Sequence, residues 1–190
     1  MEFETRPVAP DRVDDFVAVA NPNRRATHCW CLSHRLTAKE VAELGPARET
    51  AFRALCARPH PPGVIGYDGG EPVGWCSIGP RAENTRLRRS ALIRPLDDVP
   101  VWSIICVVIR GGRRRRGYTT PLIEGAVAWA ASCGAPAVES YPVEPGADRI
   151  DLTMAFVGTR AMFEKAGFTV VGGTDATASK LPRIVMRRTL

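Results

Sequence analysis

The sequence predicts one α/β domain, a mixed β-sheet with helices on both faces. Three observations carry this. Residues 101–141 read as strand, basic glycine turn, helix and strand, a unit whose crossover is right-handed in nearly all sheets. Residues 63–78 read as a hairpin closed by Asp68-Gly69-Gly70. A chain of 190 residues without a repeat, low-complexity tract or linker fits one core over residues 1–190.

In order, Glu2 to Val8 alternates in polarity and predicts a first strand. Pro10 and Asp11 open a helix to about Ala18, with Val13, Phe16 and Val17 as its apolar face. Asn21 to Arg35 reads as irregular. Thr37 with Glu40 forms a capping box for a helix from Ala38, which Gly45-Pro46 breaks and which resumes from Ala47 to about Ala57. The hairpin follows, with strands Gly63 to Tyr67 and Pro72 to Ile78. The polar, arginine-rich stretch from Pro80 to Asp98 has room for a short helix over Glu83 to Arg89.

Val101 to Arg110 is the central strand and Gly117 to Cys133 the helix after it, stopped by Gly134. Ala137 to Tyr141 is the next strand, and Pro142 to Asp148 a loop. Thr159 to Ala166 is a helix ended by Gly167. Phe168 to Val171 and Arg183 to Arg187 complete the sheet as two strands, antiparallel to each other.

The formal net charge is +6, and all the basic residues but Lys39, Lys165 and Lys180 are arginine, the residue suited to bidentate phosphate contacts. This balance fits a polyanionic ligand. The basic stretches lack interleaved aromatics and no nucleic-acid motif is present, so no nucleic-acid partner is expected. The longest uncharged apolar run, Val99 to Ile109, is too short to span a bilayer, and the charged first residues lack a signal-peptide core. The expectation is a cytoplasmic chain without a membrane partner, its six cysteines reduced. Cys76, Cys106 and Cys133 read as core fillers.

His28, Cys29, Cys31 and His34 invite a metal reading, but the spacing is poor and no second ligand pair exists, so no metal is expected. The loop instead reads as a wall of a substrate entrance with Trp30 as its aromatic face, or as a buried apolar plug. The turn before the long helix, with Arg114, Arg115, Arg116 and Gly117, places backbone N–H groups and positive charge at a helix start, a site for a pyrophosphate.

Arg114 to Thr119 (RRRGYT) resembles the R/Q-x-x-G-x-G/A signature of the GCN5-related N-acetyltransferases (GNAT). Thr119 stands where that family has a smaller residue. Phe163 to Phe168 matches the family's aromatic-x-x-x-Gly-Phe pattern. His28 to Cys31, Gly74-Trp75, Val101 to Ser103, Glu139 to Val143 and Met186-Arg187 look like a bacterial subgroup of unassigned substrate, so the resemblance covers nearly the whole chain.

It implies a mostly antiparallel sheet with a splayed parallel strand pair at the cofactor site. It also implies direct transfer of an acetyl group from acetyl-CoA to a primary amine in a ternary complex. Val107, Val108 and Ile109 match the strand that pairs with the pantetheine arm. Arg114, Arg115, Arg116, Gly117, Tyr118 and Thr119 match the pyrophosphate turn. Phe163 stands where many members carry a tyrosine acid.

Glu139, on the strand after the crossover, is the first candidate for general base. A salt-bridged glutamate on a strand face is the competing reading. Tyr141 is the candidate acid in place of the missing tyrosine. Asp97, Asp98 and Trp102 are candidates for the acceptor, with a cationic small molecule among the options. The expected partners are acetyl-CoA and an amine, in a monomer or homodimer; a non-catalytic acyl-CoA-binding module is the alternative.

Overall fold

The computed structural model describes residues 2–144, 155–178 and 180–190, so part of the expected loop from Pro142 to Asp148 lies outside the described residues. One seven-stranded sheet runs in the order β1-β2-β3-β4-β5-β7-β6. Its strands are β1 (Phe3–Pro7), β2 (Gly63–Asp68), β3 (Glu71–Pro80), β4 (Trp102–Ile109), β5 (Ala137–Ser140), β6 (Thr169–Ala178) and β7 (Leu181–Thr189). Every neighbouring pair is antiparallel except β4 and β5, which the crossover makes parallel.

The helices are α1 (Val13–Ala20), α2 (Ala38–Leu44), α3 (Arg48–Cys56), α4 (Thr85–Arg88), α5 (Thr119–Ser132) and α6 (Arg160–Lys165). The capping box of α2 forms as expected: Glu40 N–H donates to Thr37 Oγ1 at 3.2 Å, and Thr37 N–H donates to Glu40 Oε2 at 2.7 Å. Gly45, at φ +49°, and Pro46 turn the chain from α2 into α3.

Alternation along the strands splits the core. On one face Val64, Cys76 and Ile104 meet Leu122, Ile123 and Ala126 of α5 and Phe163 of α6. On the other, Ile65 and Trp75 meet Phe16 of α1, Phe52 of α3, and Trp30. Phe16 lies 4.2 Å from Phe52 and 4.9 Å from Trp75 between ring centroids. Each such ring contributes about 1.5–3 kcal/mol through burial. All six cysteines are free thiols. Cys133 is not the core filler expected: it follows the last turn of α5 and is exposed.

The final hairpin is longer than the sequence suggests. Gly172 and Gly173 look like strand breakers, yet β6 runs through them because β7 pairs with both, and beyond them Thr174 to Ala176 leave the ladder, where Asp175 N–H donates to Leu92 O at 2.9 Å. Two register shifts absorb the misfit.

Candidate active site

The sheet forks at its centre. Parallel pairing of β4 with β5 covers Trp102 with Val138, Ser103 with Glu139, and Ile104 with Ser140, then stops. At the same point β4 carries a bulge against β3, for Ser77 pairs Cys106 while Ile78 pairs Ile104, leaving Ile105 unmatched. A bulge bends its strand and raises the local twist, and here it turns β4 from β5. The bulge also reverses the alternation, so Ile104 and Val107 both face α5. Past the fork, Val143 bridges Thr159 and Arg183 instead of β4. Among the described residues, no strand pairs with the β5-side edge of β4 at Val107, Val108 and Ile109, although β3 pairs with all three on the other side.

The open edge leads into the basic turn. Gly112, Arg115 and Gly117 have φ of +77°, +62° and +81°. Gly117 is glycine for its backbone, because an added Cβ would meet nothing within 4 Å. Residues alternating between left- and right-handed conformations turn successive N–H groups into one concavity, an anion nest. The nest runs into α5, fourteen residues long, whose start has no side-chain cap. Arg110 pairs with Glu71 at 2.9 Å, and Arg113 pairs with the same carboxylate. Arg114, Arg115 and Arg116 are exposed and form no ion pair among the described residues. They, and not Arg113, supply the uncommitted charge.

The model of the acetyltransferase (GNAT) family matches residues 29–168, about three-quarters of the chain and all of the fork and turn. The chain belongs to the GNAT acetyltransferase family.

Solved structures agree on the fold. The PaiA N-acetyltransferase of Thermoplasma acidophilum, solved with coenzyme A, shares 10% identity over 100% of both chains at a TM-score of 0.51. A GNAT-family acetyltransferase of Bacillus cereus shares 11% over 100% of this chain and 98% of that one, at 0.56. AAC(6')-Ib, solved with ribostamycin and coenzyme A, shares 16% over 100% of this chain and 94% of that one, at 0.58. No curated protein matches the sequence significantly. Among the described residues, no helix is long and apolar enough to cross a membrane.

Two cavities flank the GNAT fork. One, of about 290 Å³, is lined by Cys106 and Val108 of β4 and by His28, Cys29, Cys31 and His34. The second, of about 330 Å³, reaches Ile105 and Tyr141 at the fork and also takes in Arg86 and Arg183. Ser33, His34 and Phe156 border both. A wider cleft of about 700 Å³ between α2 and residues 85–92 touches neither β4 nor β5, but it shares Ser33, Arg86, Ser90 and Leu92 with the second cavity and so lies at its mouth.

Arg35 anchors the 28–35 loop. It is buried and donates to Pro62 O at 2.9 Å and Ile78 O at 3.2 Å. Burial lowers its pKa to about 10. Next to it, His34 is pushed down to about 4, by burial first and then by Arg86, Arg183 and Arg35, so the imidazole is neutral at physiological pH. His34 Nδ1 is buried with no hydrogen-bond partner among the described residues. In the sequence His34 stands out only as part of a poor metal motif. Its place between the cavities follows from the loop's left-handed Trp30 and Cys31, which no residue pattern announces.

The residues proposed from sequence for proton transfer and acceptor binding are placed otherwise. Glu139 is 2% exposed. Arg187 donates to its Oε1 from Nη2 at 2.6 Å and from Nε at 3.1 Å, and Tyr141 donates its hydroxyl proton to Oε2 at 2.9 Å. Arg187 also clamps Asp97 at 2.6 and 3.0 Å, which holds the Asp97 carboxyl below its usual range. The competing reading of Glu139, a salt-bridged glutamate on a strand, describes this geometry. Tyr141 lies at the fork, but its hydroxyl is shared among Glu139, Ser103 at 3.1 Å and Arg81 at 3.2 Å. Burial foremost, with the Glu139 charge, raises its pKa to about 12.

Trp102 is 4% exposed, edge-on to His60 and Trp129 at the start of β4. It stands some five residues, roughly 16 Å of strand, before Val107. Asp97 and Asp98 precede it in the chain. Trp30 is 2% exposed, stacked 5.6 Å from Phe16, so the plug reading replaces the entrance wall. Phe163 is fully buried 5.2 Å from Phe168, so it fills the core under α6 and presents no face to a cofactor. Tyr118 is 3% exposed, stacks on Phe3 and donates its hydroxyl to Asp68, which leaves only its backbone for the turn.

Proposed function

We propose that this GNAT chain transfers the acetyl group of acetyl-CoA to a primary amine in a ternary complex. What supports this is one continuous track: the anion nest at Arg115 to Gly117, the unpaired edge of β4, and the cavities where that edge meets the fork. From Ile105 to Arg110 the strand rises about 17 Å, a distance an extended pantetheine arm spans. The nest and the start of α5 suit the pyrophosphate, and Arg114, Arg115 and Arg116 its charge.

The thioester supplies an activated acyl carbon. The chain contributes backbone groups on Val107 and Ile109 that pair with the arm, and an N–H on this edge that polarises the thioester carbonyl; Val108, expected from sequence to share this role, turns its N–H and C=O to β3. A C–N bond forms, the C–S bond breaks with its electron pair left on sulfur, and the nitrogen's proton passes to water. His34, held neutral and lining both cavities, would be the group that hydrogen-bonds and orients the amine. An imidazole with so low a pKa is a weak base, so the amine enters as the free base. A thiolate of pKa about 8.5 needs no dedicated acid near neutral pH.

Calorimetry with coenzyme A, together with thiol release from acetyl-CoA over an amine panel, tests this. Gly117→Glu forces a side chain onto a left-handed backbone and sets a carboxylate in the nest. It should abolish coenzyme A binding while circular dichroism stays native. Undiminished affinity would remove the nest as the pyrophosphate site.

A further inference from the structure

We infer, building on the acyl-transfer reading above, that the acceptor is a small amine that also carries an anionic group, and that Arg183 and Arg86 bind that group beside the fork. The charge along the approach is one-sided. Arg48, Arg86 and Arg89 line the outer cleft, which has no carboxylate in its lining among the described residues. Glu40, close enough to Arg89 to feel its charge, is committed to the cap of α2. In the inner cavity Arg86 and Arg183 face, among the described residues, a single carboxylate, the exposed Asp175.

Neither arginine has an ion-pair partner among the described residues. Arg183 is half-buried, and its Nε donates to Tyr141 O at 2.7 Å. Both Nη groups are therefore uncommitted among the described residues, the paired N–H edge that matches a carboxylate or phosphate. Burial lowers its pKa to about 10, so it remains charged at physiological pH. A partly desolvated cation without a counter-ion among the described residues carries a cost, and a bound anion would relieve it.

The fields of both arginines reach His34, which lines the same cavity and holds a nitrogen unpartnered among the described residues. An anion seated on Arg183 would thus leave the amine of the same small molecule near His34 and the open edge of β4. The carboxylates that suggested a cationic acceptor are not in this cavity's lining, since Asp97 and Glu139 are both spent on Arg187. Cavities of about 330 and 290 Å³ suit a molecule of amino-acid size.

The test measures thiol release with saturating acetyl-CoA. The amines are glutamate and methionine, their carboxamides, phosphoethanolamine, spermidine and kanamycin. Amino carboxylates should exceed their carboxamides in kcat/KM by about tenfold or more; a larger rate with phosphoethanolamine would name phosphate as the anionic group. Arg183→Gln should remove most of that preference by raising KM for the anionic amine, with the carboxamide unaffected. Arg86→Gln, at an exposed site, should act in the same direction more weakly. Coenzyme A calorimetry on each variant checks that the fold is intact.

Faster turnover of spermidine or kanamycin, or a preference that survives Arg183→Gln, would overturn the assignment. Were no amine to release thiol, the acyl-transfer reading would fail separately. Calorimetry of glutamate against the coenzyme A complex would then decide the anion site, with binding lost in Arg183→Gln sustaining it and no binding refuting it.

Discussion

A carboxylate that accepts two guanidinium N–H groups and a phenol proton, and that is 2% exposed, has little left for a substrate. Glu139 joins β5 to β7 through Arg187, and Arg187 reaches on to Asp97. It holds the strands together just before they fork, so its effect on chemistry is positional. Glu139→Gln leaves Arg187 its bond to Asp97 but removes the buried counter-charge, and should cost about 2–4 kcal/mol in urea unfolding. Turnover should fall while the pH dependence of kcat keeps its shape, which a lost base would not allow. An acidic residue at the end of the right strand was visible in the sequence. The partners that decide its role lie 48 residues away at Arg187, and Arg187's other partner lies 90 residues from it, separations no local pattern encodes.

Elements that depend on neighbours in sequence were legible: the capping box at Thr37, the Gly45-Pro46 break, the Asp68–Gly70 hairpin and the strand, turn and helix from Trp102 to Ser132. The bulge at Ile105 was not, because β4 is apolar on both faces and its alternation carries no phase to slip. The basic glycine turn was legible, since its glycine and arginines are contiguous, whereas the second cavity gathers residues from positions 33 to 183. The seat of α5 on the sheet is a further element fixed by one residue. A Cβ at Gly125 would sit 2.2 Å from Thr5 Oγ1 and 2.8 Å from Thr5 Cβ, on a stiff β-branched side chain of β1. Gly125→Ala therefore gains helix propensity yet should destabilise the chain by about 1–3 kcal/mol. Thr5→Gly should restore part of the loss, and a double-mutant cycle by chemical denaturation measures the coupling.

For the whole molecule, the positive field at the cavity also sets how stability responds to acid. His34 titrates at about 4 in the folded chain against an ordinary value near 6.5, lowered by burial and by Arg86, Arg183 and Arg35. The unfolded chain thus takes up a proton first as pH falls, and stability declines from about pH 6.5 until the folded imidazole also protonates near pH 4. The Asp97 carboxyl, held low mainly by Arg187, has the opposite charge type but the same sign of linkage: its contribution is present above the ordinary carboxylate range and is lost below it. The interval between about 4 and 6.5 therefore reports His34 largely alone. Between pH 7 and pH 5 the wild-type chain should lose on the order of 1–2 kcal/mol in urea unfolding, and His34→Gln should flatten that slope. An anion bound between Arg86 and Arg183 would offset two of the three charges that depress the imidazole. Saturating glutamate should therefore raise the His34 pKa, followed by its imidazole NMR shifts, and shrink the loss of stability below about pH 6.5, the decline ending at a higher pH than about 4. An unchanged His34 titration with glutamate bound would separate the anion from the arginines whose field His34 feels.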